Sequence, residues 1–298
     1  MSEIIEKSVT GVASLKLTES PAPGWHKISL LRQPFFIKAV VIMLCFSTTS
    51  SLLQYLYRVH LIGSKIKDMY TVFLYIFMFA GGMALLGKLN WRKLAVILLN
   101  IPFFQTWEYL FYPEYPKMHV FFVLTITWPL ALFVIREPET MDEFGLRKAH
   151  ILKDLSAAVV IGALIAVYVG AIFHMNGFAF KQTDPWQIAS HTSGMLGQNI
   201  FYMMFIFAVW NRMRLMGISQ MENLLTPAVL VICIQAPFFI AFYAAHVIST
   251  TNFVLGLGGS VLLFTFIMGV TFRFMRHPLA ANFAMIAINE ILVSVGIL

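Results

Sequence analysis

Apolar residues run along this chain in long blocks. They do not alternate as in a half-buried strand, nor do they form the narrow stripe of a surface helix. A bilayer core about 30 Å thick is crossed by roughly 20 apolar residues in helical form. By that measure the sequence predicts nine spans, over approximately 35–56, 70–88, 94–112, 118–135, 155–175, 189–210, 227–248, 253–273 and 278–298. Pro102, Pro113, Pro116 and Pro129 interrupt the third and fourth, so an eight-span count is the alternative. The expected fold class is all-α, a polytopic transmembrane helical bundle. Its regions are a short cytoplasmic tail (1–34), a four-span membrane region (35–135), a charged cytoplasmic loop (136–154) and a five-span core (155–298).

Composition agrees with the blocks. Of 298 residues, 59% are hydrophobic and 12% charged, with a mean hydropathy of +0.79. Soluble domains carry about 25% charged residues, so a water-facing surface cannot be built from this chain. The polar tail before the first span holds no signal-peptide core with a small-residue cleavage site. Net charge is +7, but the basic residues sit in short loops and not in an aromatic-interleaved stripe, which argues against nucleic acid. With the N terminus cytoplasmic, 16 of the 21 Lys and Arg residues fall inside and 5 outside. Arg58, Lys65 and Lys67 make the first loop the dissenting one. The expected location is a cytoplasmic membrane of the bacterial inner type. The charged loop holds nine of the 35 charged residues.

Ionisable groups inside a bilayer are costly and call for an explanation. Glu108 and Glu290 are the acids within the expected spans, with His191 and His246 beside them and His174 near an outer boundary. The amides Gln198, Asn199, Gln235, Asn282 and Asn289 complete the set. A polar pocket among the C-terminal helices would gather these positions, while snorkelling of Glu108 and hydrogen-bonded helix glue from Asn282 and Asn289 are the plainer alternatives. Gly162, Ala166 and Gly170 form a small-residue packing stripe, and the Gly-rich run 255–260 also reads as close helix packing. Met203, Met204, Met213 and Met216 read as helix-contact fillers, and Cys45 and Cys233 as free core thiols. There is no H-E-x-x-H, no G-x-S-x-G and no Cys-based metal pattern, so neither metal nor cofactor is expected.

From Phe144-Gly145-Leu146-Arg147 to the end, the chain resembles the membrane-embedded family of CAAX proteases and bacteriocin-processing enzymes. That family carries E-E-x-x-x-R, F-x-x-x-H and H-x-x-x-N on successive helices, its glutamates and histidines binding or activating a water for peptide hydrolysis. Here the first motif reads Gln198-Asn199 with Met203 at the arginine position, the second is intact as Phe242 to His246, and the third keeps Asn289 but has Met285 for histidine. Amides can orient a water but cannot deprotonate it. The resemblance therefore implies a catalytically impaired relative that binds a membrane protein or a lipidated or peptide substrate. Two readings compete with it. One is an active endopeptidase in which Glu290 or Glu108 works with His246; the other is a transporter or channel subunit.

Overall fold

The computed structural model describes residues 30–106, 135–146, 151–175, 177, 179–180 and 185–294. Every regular element among them is helical. A 3-10 turn at Leu30–Arg32 leads into α1 (Pro34–Arg58), α2 (Ser64–Leu85) and α3 (Trp91–Thr106). The short α4 (Pro138–Glu143) then precedes α5 (Ile151–Met175), α6 (Pro185–Leu215), α7 (Gln220–Ala244), α8 (Thr250–Phe274) and α9 (Leu279–Ser294). Pro34, Pro138 and Pro185 open their helices, at a position where the missing N–H has no intrahelical acceptor to lose. Ser219 caps α7, its hydroxyl accepting the Glu222 N–H at 3.2 Å.

The helices stop by a shared backbone device. After α7, the His246 N–H donates to the Tyr243 carbonyl and the Val247 N–H to the Phe242 carbonyl, with His246 at φ 55°. This is the left-handed termination that glycine usually supplies. Gly87, Gly145 and Gly217 do supply it after α2, α4 and α6. His60 does the same after α1 without being glycine.

Among the described residues, four helices are long and apolar enough to cross a membrane: Pro34–Arg58, Leu152–Met175, Gln220–Ala244 and Gly256–Phe274. The chain is thus a helical protein of integral-membrane type. Nearly all of the expected fourth span, together with Glu108 and most of the N-terminal tail, lies outside the described residues.

Contacts between helices fix their relative directions. Ser47 meets the Cys233 carbonyl and Arg58 meets Phe242, so α1 and α7 run parallel. Phe79 stacks on Phe201 and Gly82 lies under Phe205, so α2 and α6 are parallel as well. A Cβ on Gly162 would stand 3.2 Å from the Phe283 carbonyl oxygen, and one on Gly170 would stand 3.4 Å from Ile291. These contacts set α5 parallel to α9 in the most extensive helix contact described. The expected glycine stripe is therefore the α5–α9 seam. Sequence neighbours are antiparallel: Phe239 packs on Phe253 between α7 and α8, and Asn223 on α7 donates to the Trp210 carbonyl of α6 at 3.1 Å.

The charged loop does not hang free. Lys88 pairs with Glu139 at 3.1 Å, Lys93 with Glu137, and Arg212 with Glu143 at 3.5 Å, tying α4 to α2, α3 and α6. Hydrogen bonding from Lys93 is the main reason the Glu137 carboxyl lies below the usual carboxylate range. Phe144 is fully buried against Phe79, and Leu146 is buried beside it. Gly145, at φ 73°, is pressed so close to Phe207 and Pro278 that a Cβ would stand 2.5 Å from the Phe207 ring. No other residue fits there without displacing the aromatic core.

Three expectations need correction. Cys45 is exposed on the outer side of α1, whereas Cys233 is buried; an apolar residue on a helix that faces lipid need not face the core. Met216 is exposed at the end of α6, past the helix contacts that bury Met203, Met204 and Met213. In the Gly-rich run only Gly256 is tightly packed, under Phe239, while Gly258 and Gly259 border open space.

Candidate functional site

The helices expected to carry the first and third motifs, α6 and α9, pack antiparallel on each other. Towards one end Thr192 on α6 donates to Glu290 Oε1 on α9 at 3.0 Å. Deeper in, the Tyr202 hydroxyl lies 3.5 Å from the Met285 sulfur. Met203, at the arginine position of the first motif, is completely buried in the apolar core. A guanidinium there would need carboxylate partners to offset its desolvation. Met285, at the histidine position of the third motif, is likewise buried. The side chains of His191, Gln198, Asn199 and Asn289 lie outside the described residues, although helices α6 and α9 pass through those positions.

The second motif is placed differently. Phe242 is stacked 4.4 Å from Phe238, with the Arg58 guanidinium 5.1 Å from its centroid. The apolar block places His246 inside a span reaching 248, but α7 ends at Ala244 and His246 stands exposed in the terminating turn. The physical reason is the left-handed backbone at His246, which cannot continue an α-helix. His174 is exposed at the end of α5, and Gln235 is half-buried within α7.

Glu290 is half-buried, and its carboxylate accepts the Thr192 hydroxyl inside the bundle. A carboxylate so placed can polarise the hydroxyl that donates to it. No group of three or more His, Cys, Asp and Glu side chains able to hold a metal occurs among the described residues.

Asn282 was expected to glue helices together. It is fully buried, yet neither its amide nitrogen nor its oxygen has a hydrogen-bond partner. The polar link between helices is made instead by Asn223, which also accepts the Thr226 hydroxyl at 3.0 Å.

A further polar centre was not anticipated from sequence. His277, just ahead of α9, is buried, with Nε2 3.8 Å from Asp154 at the start of α5. Its Nδ1 accepts the Ala280 N–H at 3.4 Å, near the α9 N terminus. Burial pushes the imidazole below its ordinary titration range, and Asp154 opposes that shift. The available signal was a histidine directly before Pro278 at a helix entry, where side-chain acceptors for free N–H groups are common.

The chain matches no family model, no curated protein and no solved structure.

Proposed function

We propose that this chain is a nine-span protein of a bacterial cytoplasmic membrane, with its N terminus inside. In this reading its C-terminal half is a non-catalytic relative of the CAAX and bacteriocin-processing proteases that holds a membrane partner between its helices. The observation that carries the reading is that the two helices meet through Tyr202 and Met285 while Met203 is fully buried in the apolar core, so the positions where the family has arginine and histidine hold thioethers. A general base needs an atom that accepts a proton near neutral pH, and these motif positions offer none.

The nine-span count draws support from the loop after α3. Lys93 at the start of α3 pairs with Glu137, so these two positions share one face, as the expected pair of spans between them would have it. Orientation draws support from the gathering of Lys88, Arg92, Arg212 and Arg273 at the same end of the bundle.

The test is reconstitution of the full chain with prenylated CAAX peptides and bacteriocin-leader peptides. No cleavage above background is expected, whereas turnover abolished by His246→Ala overturns the non-catalytic reading. A second reading is favoured by the Thr192–Glu290 hydrogen bond, which would place a relocated catalytic carboxylate at Glu290. Turnover lost in Glu290→Gln as well as in His246→Ala would select it.

A further inference from the structure

Helix directions bring the start of α1, the α2–α3 turn, the start of α5, the α6–α7 turn and the α8–α9 turn to one end of the bundle. Charge is divided there in a particular way. Three carboxylates each lie against a cationic partner, Glu137 with Lys93, Glu139 with Lys88 and Glu143 with Arg212, while Asp154 faces the His277 imidazole at 3.8 Å. Four other basic residues, Arg32, Arg92, Lys153 and Arg273, are exposed and in no ion pair among the described residues.

Each of these four has an exposed large apolar neighbour in sequence. Leu31 precedes Arg32 and Trp91 precedes Arg92, the latter ring 75% exposed. Leu152, 77% exposed, precedes Lys153, and Phe274, 80% exposed, follows Arg273. They stand at the ends of four different elements, all at this end of the bundle. An apolar side chain beside a long cationic one is the arrangement that enters acyl chains while its charge reaches the phosphate level.

At the opposite end Arg58 lies over the Phe242 ring of α7 and Lys67 over the Tyr57 ring of α1, at 5.1 and 4.7 Å from the centroids, so these cations bridge neighbouring helices. Arg92 also lies over a ring, at 5.5 Å, but the ring is that of its own exposed sequence neighbour Trp91, so the contact stays within the couple.

We infer that the four apolar–basic couples form a collar that binds the headgroups of anionic phospholipids in one leaflet. The inference rests on the membrane reading above and commits to lipid as the occupant, through charge complementarity and the apolar partner of each cation. Polybasic segments gain about 1 kcal/mol per Lys or Arg at an anionic surface, which corresponds to about fivefold in lipid retention for each charge removed.

The experiment uses the full chain in nanodiscs of phosphatidylcholine alone and of phosphatidylcholine mixed with phosphatidylglycerol, with retained lipids counted by native mass spectrometry. Preferential retention of phosphatidylglycerol is expected. It should decline stepwise in Arg92→Gln, Arg92→Gln/Lys153→Gln and the triple variant adding Arg273→Gln, and be unchanged in Arg58→Gln. Added glycerol phosphate should not displace the lipid; displacement would assign the cations to a soluble phosphate and overturn the lipid assignment. Insertion with equal retention of both lipids overturns the collar while leaving the membrane reading intact. Failure to enter either bilayer overturns both.

Discussion

The His277 imidazole and the Asp154 carboxylate face each other at 3.8 Å where α5 and α9 begin side by side. That distance is too long for a hydrogen bond, so the ring's hydrogen bond is on its other side, from the Ala280 N–H at 3.4 Å. Because Nδ1 accepts from that N–H, the neutral ring carries its proton on Nε2, toward Asp154. A second proton must go to Nδ1, the atom already occupied as an acceptor.

Acid should therefore loosen the base of α9. His277 titrates below its ordinary value when folded, mainly through burial. The unfolded chain then binds more protons in this window, so the stabilisation is complete above about pH 6.5 and declines as pH falls through it. Thermal unfolding in detergent should show a lower midpoint at pH 5.5 than at pH 7.5. His277→Asn, which retains an acceptor for Ala280, should flatten that dependence, and an unchanged profile would show that His277 is not its source.

The two glycines of the α5–α9 seam should respond unequally to alanine. At Gly162 the added Cβ meets the Phe283 main chain, which cannot turn aside, so Gly162→Ala should cost about 1–3 kcal/mol. At Gly170 the nearest atom is the mobile Cδ1 of Ile291, and the better helix propensity of alanine should leave Gly170→Ala neutral or slightly stabilising. Denaturation midpoints of the two variants in one detergent compare them directly.

His246→Gly should stabilise the protein by about 1 kcal/mol, because glycine occupies the left-handed conformation without a Cβ clash. A fall in stability would mean that the imidazole makes a compensating contact. The result separates a helix-terminating role for His246 from any chemical one, since the same variant would silence an enzyme that depended on it.

Asn282→Leu should raise stability by about 1–3 kcal/mol. The substitution removes a buried amide without hydrogen-bond partners among the described residues and keeps the same branched arrangement of four side-chain heavy atoms. If Asn282 were helix glue, the same change would destabilise the fold, and a thermal melt decides between the two.

Much of the architecture was legible in the blocks of apolar residues, because a membrane helix writes its length directly into the sequence. The expected span 155–175 sits within α5, and 253–273 within α8. The Gly162–Gly170 stripe was readable for the same reason: residues four and eight apart fall on one helix face. The end of α7 was not. Nothing in the composition around His246 distinguishes a residue continuing a helix from one in a left-handed turn, since that choice is made by backbone bonds to Phe242 and Tyr243. Asn223 and Asn282 have the same side chain and similar apolar surroundings, yet one bridges two helices and the other is unpartnered. Their difference depends on which neighbouring carbonyl is free, and only the packed bundle determines that.

The parallel pairing of α1 with α7 has a consequence for how the molecule is made. The Ser47 hydroxyl on α1 donates to the Cys233 carbonyl, 186 residues further along the chain. At ribosomal speeds of about 5–20 residues per second, α1 waits roughly 10–40 s for the helix that will cover it. During that interval its hydroxyl has a resting place, the Leu44 carbonyl of its own helix at 3.3 Å. The early helix can therefore sit in lipid with its polar group satisfied, and exchange a local bond for a distant one when its partner emerges.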